Sequence, residues 1–337
     1  MKALRILFVA RPYSVHTARW INQVADRGWD LHLFPASEDT PHPDYRNLTA
    51  YYTQPLPRGL LHESVRVRAL WPLPVGAHKV RRLAARLPAR WTDRAEWLAR
   101  VIRRVKPDIV HALEFQAAGY LVARTWPLLG ADRPPLVASN WGSDIYHYGP
   151  LPEHAEKIRA LLAAADYYTA ECHRDVGLAR EYGFRGEAWP VLPAAGGFDI
   201  ENMRQYREPG PTSRRRVVAL KGYQHWAGRG LVGLRALELC ADLLKSKGLT
   251  AVVHSIYNPE VPPAVEQAAR RTGLRIETLA VESREEVLRL QGRARVSIGL
   301  SISDGLSTSA LEALIMGAFP VQSDTSCLCE LVRCGEG

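Results

Sequence analysis

Segment 295–322 constrains the fold more than any other part of this chain. Apolar and small polar residues alternate over 296–302, a pattern that predicts a β-strand. Asp304 and Gly305 then favour a tight turn, and apolar residues recur at helical spacing over 306–316. The segment therefore predicts a strand, an acidic glycine-containing turn, a helix and a further strand.

Such a unit creates a position for an anion. The start of the helix supplies unpaired N–H groups and the positive end of a dipole, and Gly305 lets a phosphate approach the backbone. Glu312 follows Asp304 by about two helical turns, so we expect both carboxylates to face one crevice. Since carboxylates repel phosphate, their expected partners are the hydroxyls of a ribose or a sugar. Taken singly, Asp304 is more typical of an exposed turn and Glu312 of a solvated helix face than of a binding site.

The segment resembles the donor-site signature of family 4 glycosyltransferases. The matching positions are Asp304, Gly305, Leu306, Glu312, Ala313, Gly317, Pro320 and Val321. The first acid of that signature is commonly Glu, so Asp304 has a shorter reach. The resemblance implies an α/β protein with the GT-B fold, in which two Rossmann-like, doubly wound domains face a cleft. It also implies a retaining, metal-independent transferase that moves a sugar from a nucleotide-diphosphate sugar to an acceptor.

Length and composition agree with a two-domain globular protein. The chain has 337 residues, of which 47% are apolar and 23% charged. It contains no run of about 18 apolar residues, and its first residues have too short an apolar core for a secretory signal. Five cysteines, an odd number, favour reduced thiols and a cytoplasmic location. The cluster of Cys327, Cys329 and Cys334 has no nearby His, so we expect no metal site there.

Strand and helix patterns alternate along the chain, which predicts parallel, doubly wound sheets. Strands are expected at 4–10, 31–34, 109–112, 136–139, 167–170, 217–220, 251–255 and 275–279. Helices are expected from Ser14 to Gly28 and over 231–245. The breaker-rich stretch 189–202 resembles the interdomain linker of the family, which predicts domains 1–195 and 196–337. Relatives continue beyond the last residues of this sequence, so we expect the second domain to be truncated at its carboxyl end.

Further donor-site candidates lie around the first strand of the second domain. Lys221 and Arg229 stand among glycines at a helix start, a composition that suits a diphosphate. The family has an Arg before a Lys here, whereas this chain has the order reversed and the loop lengthened by His225 and Trp226. Together with Glu312, Gly305, Leu306 and Ser307, they form the predicted nucleotide-sugar-binding set.

The first domain offers candidates for catalysis and acceptor binding. His111 is predicted at the carboxyl end of a strand and resembles the first His of a His-Ala-His element, although Leu113 replaces the second. With Asp304 it forms the predicted catalytic pair. His16, Trp141 and Asp144 are the acceptor-side candidates. For each of them a structural hydrogen-bonding role fits the sequence equally well.

Residues 66–106 are strongly basic, with twelve Lys or Arg against Asp93 and Glu96, in a chain of net charge +9. Apolar residues lie on one face over 92–105, which predicts an amphipathic helix with a basic outer side. The stretch suits docking on an anionic membrane surface, and it equally suits a solvated basic face. Nucleic acid is not an expected partner, because no recognition motif accompanies the charge.

The expected function is therefore glycosyl transfer in polysaccharide biosynthesis, with a glycan, lipid-linked or small-molecule acceptor. The nucleotide sugar is a co-substrate, and no cofactor is expected. Two alternatives remain open: a catalytically idle nucleotide-sugar-binding or assembly protein, and a sugar-nucleotide epimerase. The epimerase needs acids that deliver protons around the sugar, and the first domain offers few in suitable places. We expect a cytoplasmic protein, with peripheral attachment to the inner face of the membrane as one possibility.

Overall fold

The computed structural model describes residues 3–53, 64–70, 93–279 and 283–333. The chain divides into two compact units, Met1–Gly197 (unit 1) and Phe198–Gly337 (unit 2). Each unit contains one parallel sheet with helices between its strands. The predicted α/β class is confirmed, and the reason is the alternation of short apolar strands with amphipathic helices.

Unit 1 is built on parallel strands joined by helical crossovers. Its strands are β1 (Arg5–Ala10), β2 (Asp30–Pro35), β3 (Leu48–Tyr52), β4 (Val65–Ala69), β5 (Ile109–Leu113), β6 (Leu136–Ser139), β7 (Tyr167–Thr169) and β8 (Glu187–Ala188). Its α-helices are α1 (Val15–Asn22), α2 (Arg94–Val105), α3 (Tyr120–Leu129), α4 (Ser143–Tyr146), α5 (Pro152–Ala164) and α6 (His173–Glu181). Within the described residues the strand order is β4-β3-β2-β1-β5-β6-β7-β8.

Unit 2 repeats the design with a smaller sheet. Its strands are β9 (Val217–Lys221), β10 (Thr250–His254), β11 (Ile276–Thr278), β12 (Ala294–Gly299) and β13 (Phe319–Gln322). Its α-helices are α7 (Ile200–Arg204), α8 (Gly230–Leu239), α9 (Ala241–Ser246), α10 (Val261–Thr272), α11 (Arg284–Arg293) and α12 (Thr308–Ile315). Among the described strands the order is β11-β10-β9-β12-β13, all parallel.

Successive apolar side chains of the central strands point to opposite faces, so each sheet has a hydrophobic core on both of its faces. On β1, Leu7 and Val9 pack into one cluster while Ile6 and Phe8 pack into another. On β9, Val218 and Leu220 likewise face one cluster and Ala219 the other. Strands that are apolar on both faces are the mark of parallel sheets covered on both sides by helices.

Two predicted helices differ from expectation, one in its length and one in its continuity. The first ends at Asn22 rather than Gly28, because the chain continues in tighter turns, with Val24 N bonded to Ile21 O at 3.1 Å and Arg27 N to Val24 O at 3.2 Å. The helix predicted over 231–245 is divided into α8 and α9 at Cys240, whose φ of −96° and ψ of 5° leave the helical region.

The strand predicted over 296–302 is shifted towards the amino terminus and becomes β12. The following three residues leave the sheet to pair with a neighbouring loop, as described below. The helix predicted over 306–316 begins only at Thr308, because Ser307 has an extended backbone with φ −61° and ψ 113° and occupies the N-cap position.

Helix α2 confirms the amphipathic pattern in the described part of the basic stretch. Asp93 caps it by accepting a bond from Ala95 N at 2.9 Å, and the predicted apolar face is buried. The buried residues of that face are Trp97, Leu98, Val101, Ile102 and Val105. Lys79, Arg81, Arg82, Arg86 and Arg90 lie outside the described residues. No helix in the described ranges has the length and apolarity that a bilayer crossing requires.

Candidate active site

The carboxyl ends of β9 and β12, which are neighbours in the sheet, bring two predicted groups together. The loop 222–229 follows β9 and the loop 300–307 follows β12. Arg229 N donates to Leu300 O at 3.0 Å, and Ile302 N donates to Ala227 O at 2.9 Å. These bonds join the Lys221 loop to the Asp304 loop at the point where the strand order reverses, which is where open parallel sheets bind ligands.

Glycines make the first of these loops compact. A Cβ atom added to Gly228 would lie 2.2 Å from Tyr223 O, and one added to Gly230 would lie 2.7 Å from the carbonyl carbon of Gly222. Both distances are shorter than any real contact, so only glycine permits this backbone approach. The loop is therefore a shaped element and not a loose connection.

Lys221 is held against the start of α12. Its Nζ donates to Ser309 Oγ at 3.3 Å, and that oxygen lies 3.1 Å from Ser307 Oγ. The Ser307 side chain therefore bonds a neighbouring hydroxyl and does not cap the helix. An ammonium group, two hydroxyls and the first amides of a helix meet here, a combination that suits a phosphate group.

Two carboxylates act on this ammonium. Burial lowers the pKa of Lys221 below its usual value, while the negative charges of Asp304 and Glu312 act in the opposite direction. Both predicted acids are thus electrostatic neighbours of Lys221. The two helical turns expected between them are not formed, because Asp304 lies in the turn before the helix begins at Thr308. Burial removes water from the ammonium group and destabilises its charged form. A bound anion would compensate for part of this loss.

The two acids differ in their surroundings. Asp304 is half-buried, and its Oδ1 accepts a bond from Gly305 N at 3.0 Å. Glu312 is only 8% exposed, and its Oε1 lies 3.6 Å from Nε of Arg284. Gly305 and Leu306 are buried beneath the turn. Arg284 was missed from the sequence, because nothing in its local pattern indicates that the start of α11 reaches this site.

The guanidinium of Arg229 contacts its own loop, whereas a phosphate-binding arginine would need its N–H groups directed at the ligand. Its Nη1 donates to three carbonyl oxygens of its own loop, at 2.9 Å to Gly228, 3.0 Å to His225 and 3.2 Å to Trp226. The guanidinium therefore stabilises the shape of the loop. The phosphate role that its position among glycines suggests stays a prediction.

His111 occupies a different place from the one expected. It lies in the middle of β5 and not at its end, opposite Phe8 on β1, and is 6% exposed. Its Nε2 is 2.6 Å from Ser139 Oγ, and the rings of Trp20 and Trp189 stand edge-on to it at 6.0 and 6.3 Å. It lines an apolar cavity of about 500 Å³ within unit 1. Burial lowers its pKa to about 3, so the ring is neutral near pH 7.

Acidification should destabilise unit 1 through His111. The pKa of about 3 lies below the ordinary value of 6.5, so between these values the unfolded chain binds a proton that the folded chain does not. Stability is complete above pH 6.5 and falls as the pH drops, by about 2 kcal/mol from pH 7 to 5. Urea unfolding at both pH values measures this loss, and His111→Phe should reduce it. An unchanged pH dependence in that variant would show that the folded protein binds a proton here.

The other predicted residues of unit 1 lie at the carboxyl edge of its sheet. Asp144 is 5% exposed, and its Oδ2 accepts bonds from Trp141 N and Phe115 N, each at 2.9 Å. Burial and the neighbouring charge of Glu114 raise its pKa well above the usual value. Asp144 thus holds two loops together. The His16 ring lies 6.1 Å from the Trp141 ring, edge to face, so these two candidates do meet.

Glu114 is a residue of this edge that the sequence analysis missed. It directly follows β5 and has φ +70° and ψ 156°, a strained conformation for a residue other than glycine. Its carboxylate accepts bonds from the amides of 116–118, and its Oε2 lies 3.6 Å from Nη2 of Arg11. The available signal was an acid immediately after a strand and before a helical pattern.

Comparison with known families gives these sites a context. Residues 5–171 match the model of the family described as "Glycosyl transferase 4-like". The sequence of unit 1 is therefore glycosyltransferase 4-like over nearly its whole length. The predicted recognition is therefore confirmed, and the glycosyltransferase function with it. No curated protein sequence is significantly similar to this glycosyltransferase.

Solved structures confirm the GT-B fold of this glycosyltransferase. A UDP-forming trehalose-phosphate synthase from Burkholderia xenovorans aligns with a TM-score of 0.66 at 11% identity, over 98% of this chain and 86% of that chain. Anabaena Alr3699/HepE in complex with UDP aligns with a TM-score of 0.64 at 17% identity, over 98% of this chain and 83% of that chain. Sucrose-phosphate synthase from Thermosynechococcus elongatus aligns with a TM-score of 0.59 at 14% identity, over 97% of this chain and 83% of that chain. At these identities the likeness concerns the fold alone.

Proposed function

We propose that this glycosyltransferase moves a sugar from a nucleoside-diphosphate sugar to an acceptor hydroxyl, with retention of anomeric configuration and without a metal ion. The observation that carries the proposal is the Lys221 ammonium, bonded to Ser309 at the start of α12 and flanked by Asp304 and Glu312. A diphosphate, a sugar and a ribose each find a partner of suitable chemistry there. Anabaena HepE, which shares the fold, has been solved with UDP and with UDP-glucose, which makes uridine donors the first to test.

Each group of the site has a role in this proposal. Lys221 and the first amides of α12, following Ser307, neutralise the diphosphate, while Arg229 keeps the preceding loop in shape. Glu312 accepts hydrogen bonds from the ribose diol, and Asp304 accepts them from hydroxyls of the transferred sugar. Gly305 and Leu306 bring the backbone close to that sugar.

The proposed step is a displacement on one face of the sugar. The acceptor oxygen bonds to the anomeric carbon as the bond from that carbon to the phosphate oxygen breaks, and the acceptor proton passes to the departing phosphate. This route needs positive charge at the leaving group, which Lys221 and the helix amides supply. It needs no carboxylate nucleophile, in contrast to the two-carboxylate scheme of retaining glycosidases.

We propose that unit 1 supplies contacts to a glycan, lipid-linked or small-molecule acceptor through His16 and Trp141 at the edge of its sheet. Asp144 supports this edge by holding the Trp141 backbone. We assign His111 a structural role, because it is neutral, buried and bonded to Ser139. A general acid or base must reach the substrate, and the buried His111 ring is instead bonded to Ser139.

A screen of nucleotide sugars by thermal unfolding tests the proposal. The correct donor at a hundred times its dissociation constant should stabilise the protein by about 2.7 kcal/mol and raise its unfolding temperature by several degrees. Mass spectrometry should then detect a glycosylated product with acceptors from a broad panel. Stabilisation by a donor that is never consumed would contradict catalysis, and a complete absence of stabilisation would contradict the donor site.

We propose a membrane surface as a further partner, through the basic stretch 66–106. On α2, Arg103 and Arg104 are exposed while the opposite face is buried. About 1 kcal/mol per basic residue near anionic lipid would suffice for peripheral binding. This part of the proposal concerns a lipid-linked acceptor and is independent of the donor site.

The protein should sediment with vesicles of phosphatidylglycerol but not with vesicles of phosphatidylcholine. High salt should release it, because the attraction decays within about 8 Å at physiological ionic strength. Changing Arg81, Arg82, Arg86, Arg90, Arg103 and Arg104 to Gln should abolish sedimentation. Urea unfolding of the variant checks that it remains folded. Wild-type protein that ignores anionic vesicles at low salt would leave the solvated basic face as the correct interpretation.

A further inference from the structure

A cleft in unit 2 lies beside the proposed donor site, and the proposed donor contacts do not occupy it. It has a volume of about 570 Å³ and opens at the carboxyl ends of β9 and β10. It is lined by Tyr223, Gln224, His225, Trp226, Tyr257, Asn258 and Pro259. Two of its aromatic side chains are strongly exposed, Trp226 at 48% and Tyr257 at 75%. Aromatic rings that face solvent within a concave site are typical of ligand binding.

The rings of this aromatic cleft meet at steep angles. Tyr223 and Tyr257 lie 5.6 Å apart with an interplanar angle of 78°, and His225 and Trp226 lie 5.8 Å apart at 61°. Parallel rings would form a slot for a flat nucleobase, whereas these rings form the walls of a corner. A corner suits a puckered ring that has an apolar C–H face and a polar edge, as a pyranose has.

Polar groups of the cleft are positioned for such an edge. Gln224 Oε1 accepts a bond from Leu231 N at 3.2 Å, and Asn258 Oδ1 accepts one from Glu260 N at 2.9 Å. These bonds orient both amides, whose NH₂ groups are donors suited to sugar hydroxyls. No residue that lines the cleft carries a formal charge at neutral pH if His225 is neutral.

His225 is neutral for two reasons. Burial lowers its pKa, and the positive charges of Lys221 and Arg229 lower it further. Its Nδ1 accepts a bond from Ala227 N at 3.1 Å, which places the ring proton on Nε2. The cleft is therefore suited to an uncharged ligand and offers no ion pair to a phosphate or a carboxylate.

We propose that the aromatic cleft binds a neutral sugar ring of the glycosyl acceptor. The proposal rests on the proposed function, in which the donor occupies the site of Lys221 and Glu312. The Tyr223 ring connects the two sites, since its centroid lies 5.1 Å from Lys221 Nζ while the same ring lines the cleft. An acceptor sugar held here lies beside the leaving diphosphate. His225 and Trp226, by which the loop is lengthened, thus gain a function.

Saturation-transfer difference NMR with maltotriose, cellotriose, mannotriose and chitotriose tests the assignment. At least one of these neutral oligosaccharides should give a signal with the wild-type protein. Trp226→Ala and Tyr257→Ala should each weaken its binding about tenfold or more, and Trp226→Phe should retain part of it. Trp29→Ala, which removes a Trp of unit 1 that is 36% exposed, should have no effect.

Calorimetry with UDP and GDP distinguishes the failures. A tenfold loss of nucleotide affinity in Trp226→Ala would assign the cleft to a nucleobase and overturn the proposal. Oligosaccharide binding that is absent, or that does not depend on Trp226 and Tyr257, would overturn it as well. If the wild-type protein binds no nucleotide while oligosaccharide binding depends on Trp226, the proposed donor site is wrong and the assignment of the aromatic cleft to a sugar still holds.

Discussion

Replacing Lys221 by methionine is expected to lower kcat for glycosyl transfer by a factor of about 10²–10³, the usual cost of removing one preorganised stabiliser of a developing anion. Methionine keeps most of the length and apolar volume of the side chain, so packing at the end of β9 should survive. The charge opposite the departing diphosphate is lost, together with the bond to Ser309. Steady-state kinetics with the donor found by the nucleotide-sugar screen measures the effect.

Lys245→Met is the matched control for this change. Lys245 lies in the same unit on α9, its side chain is 42% exposed, and its Nζ pairs with Asp242 at 3.0 Å. An exposed pair of this kind contributes little, so activity and stability should stay near those of the wild type. A Lys221→Met enzyme that keeps more than about a tenth of the wild-type kcat would contradict the assignment of Lys221 to the leaving group.

Glu312→Ala is expected to weaken binding of the nucleoside diphosphate by about 1.5–3 kcal/mol, the contribution of hydrogen bonds to a charged group. Glu312 is 8% exposed, so its carboxylate acts in surroundings with little competing water. Asp304→Asn should behave differently: nucleotide affinity stays nearly intact and turnover falls, because the proposed partner of Asp304 is the sugar. Calorimetry with the nucleotide and kinetics with the donor separate the two effects.

Glu285→Ala provides the control for the loss of a carboxylate. Glu285 lies on α11 and forms an exposed ion pair with Arg289 at 3.5 Å. Its removal should therefore change neither the nucleotide affinity nor the turnover. Unchanged nucleotide affinity in Glu312→Ala would show that the ribose is bound elsewhere. Equal losses of affinity and turnover in both site variants would contradict the division of roles between Asp304 and Glu312.

The core of the candidate site could be predicted from the sequence because its geometry is local. Asp304, Gly305 and Glu312 lie within one strand-turn-helix unit, so the short chain between them keeps them close together although only Glu312 is in the helix. Lys221 was predicted from the same logic at the end of β9. Its bond to Ser309 joins residues 88 positions apart, and the sheet order that makes these strands neighbours is a regular feature of doubly wound folds.

Features that depend on long-range packing were not predictable. Arg284 reaches Glu312 only because of how α11 packs in unit 2, and no local pattern encodes that arrangement. His111 follows the alternation of β5, which turns its side chain onto the sheet face beside Phe8 and away from the edge. The carbonyl contacts of Arg229 depend on a loop whose closure is set by glycine contacts.

Strands β3 and β4 were also missed, and β4 shows why. Its sequence alternates Val65, Arg66, Val67 and Arg68, and the arginines were counted only as part of a basic surface. Both arginines are exposed, whereas Val65 is buried in the core of unit 1. An alternating pattern with charge on the outer face is typical of a strand at the border of a sheet.

The position of β4 has a consequence for the behaviour of the protein in concentrated solution. In the described part of the chain β4 is the outermost strand of its sheet, where open backbone groups invite pairing with another chain. Arg66 and Arg68 would place like charges in register across any such contact between two copies. The same residues that raise the net charge of the stretch thereby protect this border against self-association and fibre growth.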